Sequence, residues 1–158
     1  MEITVDDPMR DDVLELMAEH LADMQATSPP ESVHALDAAG LAKPDITFYT
    51  ARVGGQLLGS GALRELSPTE GEIKSMRTRE AARGAGVASL LLGQLLIEAR
   101  NRGYARVNLE TGSEDYFLPA RRLYARHGFV ECGPFGDYIE DPNSVFMTFD
   151  LSADRATS

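Results

Sequence analysis

Tryptophan is absent from the 158-residue chain, and cysteine occurs once, as Cys132. A lone cysteine cannot close an internal disulfide or build a cysteine cage for zinc. The expectation is a chain at home in a reducing cytoplasm, with Cys132 a small buried apolar residue rather than a nucleophile. Long hydrophobic runs are missing too. The longest, SLLLGQLLI at 89–97, is too short to cross a bilayer. The opening Met1-Glu2-Ile3-Thr4 lacks the basic start and apolar middle of a secretory leader. No membrane partner is expected.

Positive charge is scarce. The chain has 15 Lys and Arg against 25 Asp and Glu, a net charge of −10. Phosphate backbones need clustered cations, so nucleic acid is not an expected partner; the small basic groups at 77–83 and 121–126 do not alter that. The surplus of acid reads first as solubility and second as a preference for a cationic substrate. His20, His34 and His127 are scattered and poorly matched with carboxylates, so no metal is expected.

What is present fits one domain with a sizeable core. Glu2 to Val5 alternates as a short strand. Asp7-Pro8 reads as a helix start, with a helix to about Gln25 that puts Val13, Leu14, Met17, Leu21 and Met24 on one face. ATSPPES breaks it, and Val33 to Leu41 can hold a short second helix. The period then changes to two. Ile46–Val53 and Gln56–Leu66 form a hairpin about Gly54-Gly55, and Gly71–Thr78 is a third strand. Gly86–Arg102 is the strongest helix, closed by Gly103. Ala105–Glu110 is a strand, Leu118–His127 a helix, and Phe129–Cys132 and Ser144–Leu151 the last strands. The order β-α-α-β-β-β-α-β-α-β-β predicts an α/β fold with a mixed central sheet flanked by helices. It spans residues 1–152 as one domain, with 153–158 a loose tail.

A glycine loop runs straight into the strongest helix: Arg83-Gly84-Ala85-Gly86-Val87-Ala88. A helix start of this kind suits a phosphate. A P-loop is excluded, because no Lys follows Gly86. A dinucleotide loop, G-x-G-x-x-G, nearly fits at Gly84 to Ser89, with Glu110 ending the next strand. Against it, Ser89 replaces the third glycine, and Arg79 to Arg83 intervene where the turn should be tight.

The same stretch resembles the Q/R-x-x-G-x-G/A signature of the GNAT superfamily of acyl-CoA N-acetyltransferases. GEIKSM at 71–76 looks like the strand before that loop, and PARRLYARHGF at 119–129 is similar to the family's A-x-x-L-Y-x-x-x-G-F helix. The resemblance covers nearly the whole chain. It implies a GNAT-like fold and acetyl-CoA as cosubstrate, with direct transfer to an amine of a small molecule or peptide. It implies that Arg83, Gly84, Ala85, Gly86, Val87 and Ala88 hold the pyrophosphate. Met76, Arg77 and Thr78 would offer their backbone to the pantetheine arm. Phe117 stands where many members carry an Asn that touches the cofactor. Members are often dimers, so a homodimer is a partner the resemblance allows.

Acetyl transfer to an amine has two proton problems. The amine must lose a proton before it attacks, and the departing thiolate is stabilised by gaining one. The resemblance assigns the acid to Tyr124, whose other reading is an amphipathic core tyrosine. Glu72 is the first candidate base. Alternation puts it on one face with Lys74 and Met76, and its other reading is a strand charge paired with Lys74. Glu110 and Glu114 are weaker candidates. His34, Asp137 and Tyr138 fall in the two segments that would wall the acceptor pocket, about 25–45 and 133–143. Two other readings stand beside the enzyme: an acyl-CoA-binding sensor with little turnover, and a dinucleotide-dependent oxidoreductase.

Overall fold

The computed structural model describes residues 1–27 and 38–152. Residues 28–37, with His34 and the first part of the expected second helix, lie outside the described residues, as does the expected tail at 153–158. The elements are β1 (Glu2–Val5), α1 (Asp11–Thr27), α2 (Ala38–Leu41), β2 (Ile46–Val53), β3 (Gln56–Ser67), β4 (Glu70–Thr78), α3 (Val87–Asn101), β5 (Arg106–Gly112), α4 (Leu118–Arg126), β6 (Val130–Cys132) and β7 (Ser144–Asp150). Their order is the one the sequence predicts. The strands form one mixed sheet, β1-β2-β3-β4-β5-β7-β6. Every neighbouring pair is antiparallel except β4 and β5.

The two faces of the sheet carry different helices. Leu91, Leu92, Leu95 and Leu96 of α3 and Leu123 and Tyr124 of α4 pack on Tyr49, Leu63, Ile73, Val107 and Leu109. Val13 and Leu16 of α1 and Leu41 of α2 pack with Phe48, Leu57 and Ala62 on the other side. Ala62 and Leu63 are consecutive, so strand alternation divides the clusters between the faces. Burial of each such leucine contributes about 1.5–3 kcal/mol.

Three local expectations are corrected. Asp7 does not cap α1; its carboxylate accepts the Met9 amide at 2.9 Å in a turn, and the helix starts at Asp11. Leu14 faces solvent while Leu16 is buried, because a stripe that starts at Val13 continues at 16 and 17. Cys132 is half-buried rather than buried.

The fourth correction shapes the site. Across β3 and β4, Ser60 faces Arg77 and Ala62 faces Lys74, so two steps on β3 match three on β4. The extra residue makes a bulge, with Ser75 in the left-handed region at φ 56. Alternation therefore slips after Lys74. Met76 does not share a face with Glu72 and Lys74; it packs into the α3 cluster, with its sulfur close to Gly61.

Candidate active site

The parallel pair β4–β5 is short. Glu70–Ile73 align with Arg106–Leu109, and beyond them no pairing holds the strands together. A cavity of about 670 Å³ occupies this split, walled by β4, β5, the 82–89 loop, α4 and Tyr138. It reaches residues on both faces of the sheet.

On the α3 face the cavity ends at the glycine loop. Gly84 and Gly86 have φ of 82 and 83, a conformation that L side chains adopt with strain. A Cβ built on either meets nothing within 4 Å, so the space above the loop is open. The amides of Gly86, Val87, Ala88 and Ser89 head α3, and among the described residues none donates to a backbone carbonyl. Unpaired amides at a positive helix end, with Arg83 beside them, suit a pyrophosphate. Arg83, Gly84, Gly86, Val87 and Ala88 all line the cavity, whereas Ala85 does not. Val87 offers its amide only, since its side chain is buried in the core.

α4 carries Tyr124 to the split. Its buried stripe is Leu123 and Tyr124, and the Tyr124 ring packs on Phe129 at 5.8 Å. Arg121 ties the preceding loop down by donating to the carbonyls of Gly112 (2.6 Å) and Glu114 (3.0 Å). Phe117 packs against Gly112, where a Cβ would collide with the ring, and it lines the cavity. The Tyr124 side chain lines the cavity and its hydroxyl donates to no described residue. Burial, and secondarily Glu110, push its pKa up, so the phenol holds its proton at neutral pH.

Glu72 and Glu110 have different surroundings. Glu72 is 1% exposed. Its Oε2 accepts from Lys74 Nζ at 3.0 Å and from the Tyr138 hydroxyl at 2.8 Å, while Lys74 Nζ also donates to that hydroxyl at 2.9 Å. Arg64 Nη1 stands 3.8 Å from Oε1. The Glu72–Lys74 pair expected as the plain reading is thus present and takes up Oε2, while Oε1 is buried with no hydrogen bond among the described residues. Glu110 lines the same cavity, and among the described residues no cation is in contact with it. Burial pushes its pKa up to about 7, with the Ser144 hydroxyl and Lys74 pulling the other way. A carboxyl poised near neutrality is suited to proton transfer. Sequence reasoning ranked Glu110 behind Glu72 because burial cannot be read from a single acidic position. The available signal was register: Glu72 faces Asn108, which places Glu110 on the same face, two residues on.

Of the remaining candidates, Met76, Arg77, Thr78 and Tyr138 line the cavity. Asp137 is exposed and does not line it, and Glu114 lies outside it as well. His34 is outside the described residues.

Residues 13–129 match the Acetyltransferase (GNAT) family. The chain belongs to the GNAT family of acetyltransferases. Among curated relatives, an uncharacterized N-acetyltransferase of Bacillus subtilis, YsnE, is 52% identical over 94% of this chain and 98% of its own. An IAA acetyltransferase of Azospirillum brasilense is 40% identical over 92% of this chain and 94% of its own. Among solved structures, a Bacillus subtilis acetyltransferase in complex with CoA superimposes with a TM-score of 0.70 at 18% identity, over 95% of this chain and 98% of that one. At that identity the likeness is one of fold.

Proposed function

We propose that the protein moves an acetyl group from acetyl-CoA directly to a primary amine of a small molecule or peptide, with no covalent enzyme intermediate. The observation that carries this reading is the split between β4 and β5. An anion cradle opens on its α3 side, and Glu110 and Tyr124 both line it. The unpaired edge of β4 at Met76–Thr78 is free to accept the pantetheine amides as an added strand would.

In this reading Glu110 takes a proton from the bound ammonium. The amine nitrogen then bonds to the thioester carbonyl carbon, and the carbon–sulfur bond breaks. Tyr124 gives its proton to the departing thiolate and regains one through solvent. As the amide forms, the nitrogen loses its second proton to solvent and Glu110 passes on the first, so of the two protons the ammonium gives up, one is balanced by the thiol and one is released. Glu72, Lys74 and Tyr138 form a fixed wall on the acceptor side rather than the base itself.

The test is an assay of the purified protein with acetyl-CoA and pooled primary amines, following free thiol and acetylated product. Amine-dependent release of thiol is expected. If acetyl-CoA raises the melting temperature but no amine elicits thiol, the sensor reading replaces this one. If NAD stabilises and acetyl-CoA does not, the dinucleotide reading does.

A further inference from the structure

The acceptor side of the cavity holds a cation that has no counter-ion among the described residues. Arg77 opposes Ser60 across the β3–β4 ladder. Gly59 and Gly61, on either side of Ser60, face Val87, Leu91 and Leu95 of α3. Ser60 and Arg77 therefore point to the opposite face, the one that carries Glu72 and Lys74. Arg77 lines the cavity and is 5% exposed. Its one hydrogen bond among the described residues runs from Nη2 to Ser75 Oγ at 3.3 Å, and its Nε is buried with no partner. Burial draws its pKa down to about 10, so the guanidinium is still charged at neutral pH.

The other cations of this wall are matched. Lys74 sits on Glu72, and Arg64 lies between Asp45 (3.1 Å) and Glu72 (3.8 Å). A buried charge with no counter-ion is costly, and a protein retains one where a ligand completes it. The strained bulge at Ser75 points the same way. It holds a hydroxyl against the guanidinium at the cost of a left-handed backbone.

We propose that Arg77 binds a carboxylate of the acceptor, and that the acceptor is an amino acid rather than a simple amine or polyamine. This rests on the acetyl-transfer reading above. A guanidinium fork matches a carboxylate with two parallel hydrogen bonds. The spacing fits a small molecule. Because the bulge absorbs one residue, Arg77 lies two strand rises beyond Lys74, about 7 Å. An α-amino acid carries its amine and its carboxylate on one carbon, so a carboxylate held by Arg77 keeps the amine inside the cavity that Glu110 also lines.

The experiment compares L-amino acids with their carboxamides and their decarboxylated amines, as acceptors and as stabilisers. With wild type, kcat/KM for amino acids should exceed that for the matched carboxamides at least tenfold. R77Q should erase that ratio by raising the KM for amino acids, with the KM for acetyl-CoA unchanged; R77K should keep part of it. R77M should melt no lower than wild type, because it removes an unmatched buried charge; a large loss of stability would mark Arg77 as a structural residue and overturn the proposal. Equal use of acids and carboxamides by wild type overturns it while the transfer reading stands. A rise in the KM for acetyl-CoA in R77Q assigns Arg77 to the cofactor and also overturns it. If no amine turns over, the melting shift decides: stabilisation by amino acids that is lost in R77Q keeps the anion site without the transfer, and no shift removes both.

Discussion

Replacing Glu110 with Gln keeps its size and removes its charge. In wild type the folded-state pKa lies near 7 against an ordinary value of 4.5, chiefly because the carboxyl is buried. A carboxyl whose pKa is raised by folding favours the protonated folded state. Its contribution is fully present below 4.5 and is lost as pH rises through about 7. The difference between those values corresponds to about 3 kcal/mol between the charged and neutral forms. Glu110→Gln should therefore gain on wild type as pH rises, by up to about 3 kcal/mol between about pH 4 and about pH 8. Denaturant titrations of both proteins across that range measure it, and contributions from other groups cancel in the difference. The same substitution should remove the acidic limb near pH 7 from the wild-type rate profile and cut kcat/KM by roughly 10²–10⁴-fold, the usual worth of a general base. Parallel stability curves would mean the burial argument is wrong. An unchanged rate profile would return the base to Glu72 or to water.

Other perturbations probe the cradle and the frame. Gly86→Ala places a side chain in a left-handed position, which costs about 1–2 kcal/mol of stability, and fills the open space above the loop. Acetyl-CoA should bind at least tenfold more weakly, about 1.4 kcal/mol. Gly103→Ala is the control: it carries the same strain at φ 81, with open space around it and no place in the cavity wall. Equal affinity in the two variants, by calorimetry, would displace the cradle. Asp6 accepts from Thr50 at 2.6 Å and from Arg52 at 3.1 Å, and despite the burial that opposes it these hydrogen bonds hold its pKa down near 2. Asp6→Asn should lose about 2 kcal/mol at neutral pH. That deficit should fade as pH falls toward 2, where the wild-type carboxylate is protonated.

The frame of the site was legible because its signals are local. The change from period 3.6 to period 2 after residue 45, and the run from Gly86 into an apolar helix, each depend on neighbouring residues only. The cradle followed from the same run, since its amides belong to the backbone and its glycines have to adopt positive φ. The face of Met76 was not legible. Nothing in GEIKSMRT marks the bulge, and Ser75 adopts a left-handed conformation without being glycine. One extra residue there moves Met76 to α3 and turns Arg77 toward the acceptor side. The base was not legible either. Glu72 and Glu110 are both acidic strand residues, and what separates them is that Lys74, Tyr138 and Arg64 converge on one and not on the other. Lys74 is a neighbour on the same strand, but Arg64 and Tyr138 come from other stretches of chain, and only the fold brings them to Glu72.

Tyr124→Phe tests the central claim most directly, because it deletes one oxygen and keeps the ring that packs on Phe129. The measurement is kcat for amine-dependent thiol release, taken with the acetyl-CoA affinity of the same variant. If transfer takes place in the split with Tyr124 as proton donor, kcat falls by roughly 10²–10⁴-fold while affinity holds within a few-fold. Unchanged kcat and unchanged affinity would contradict the account.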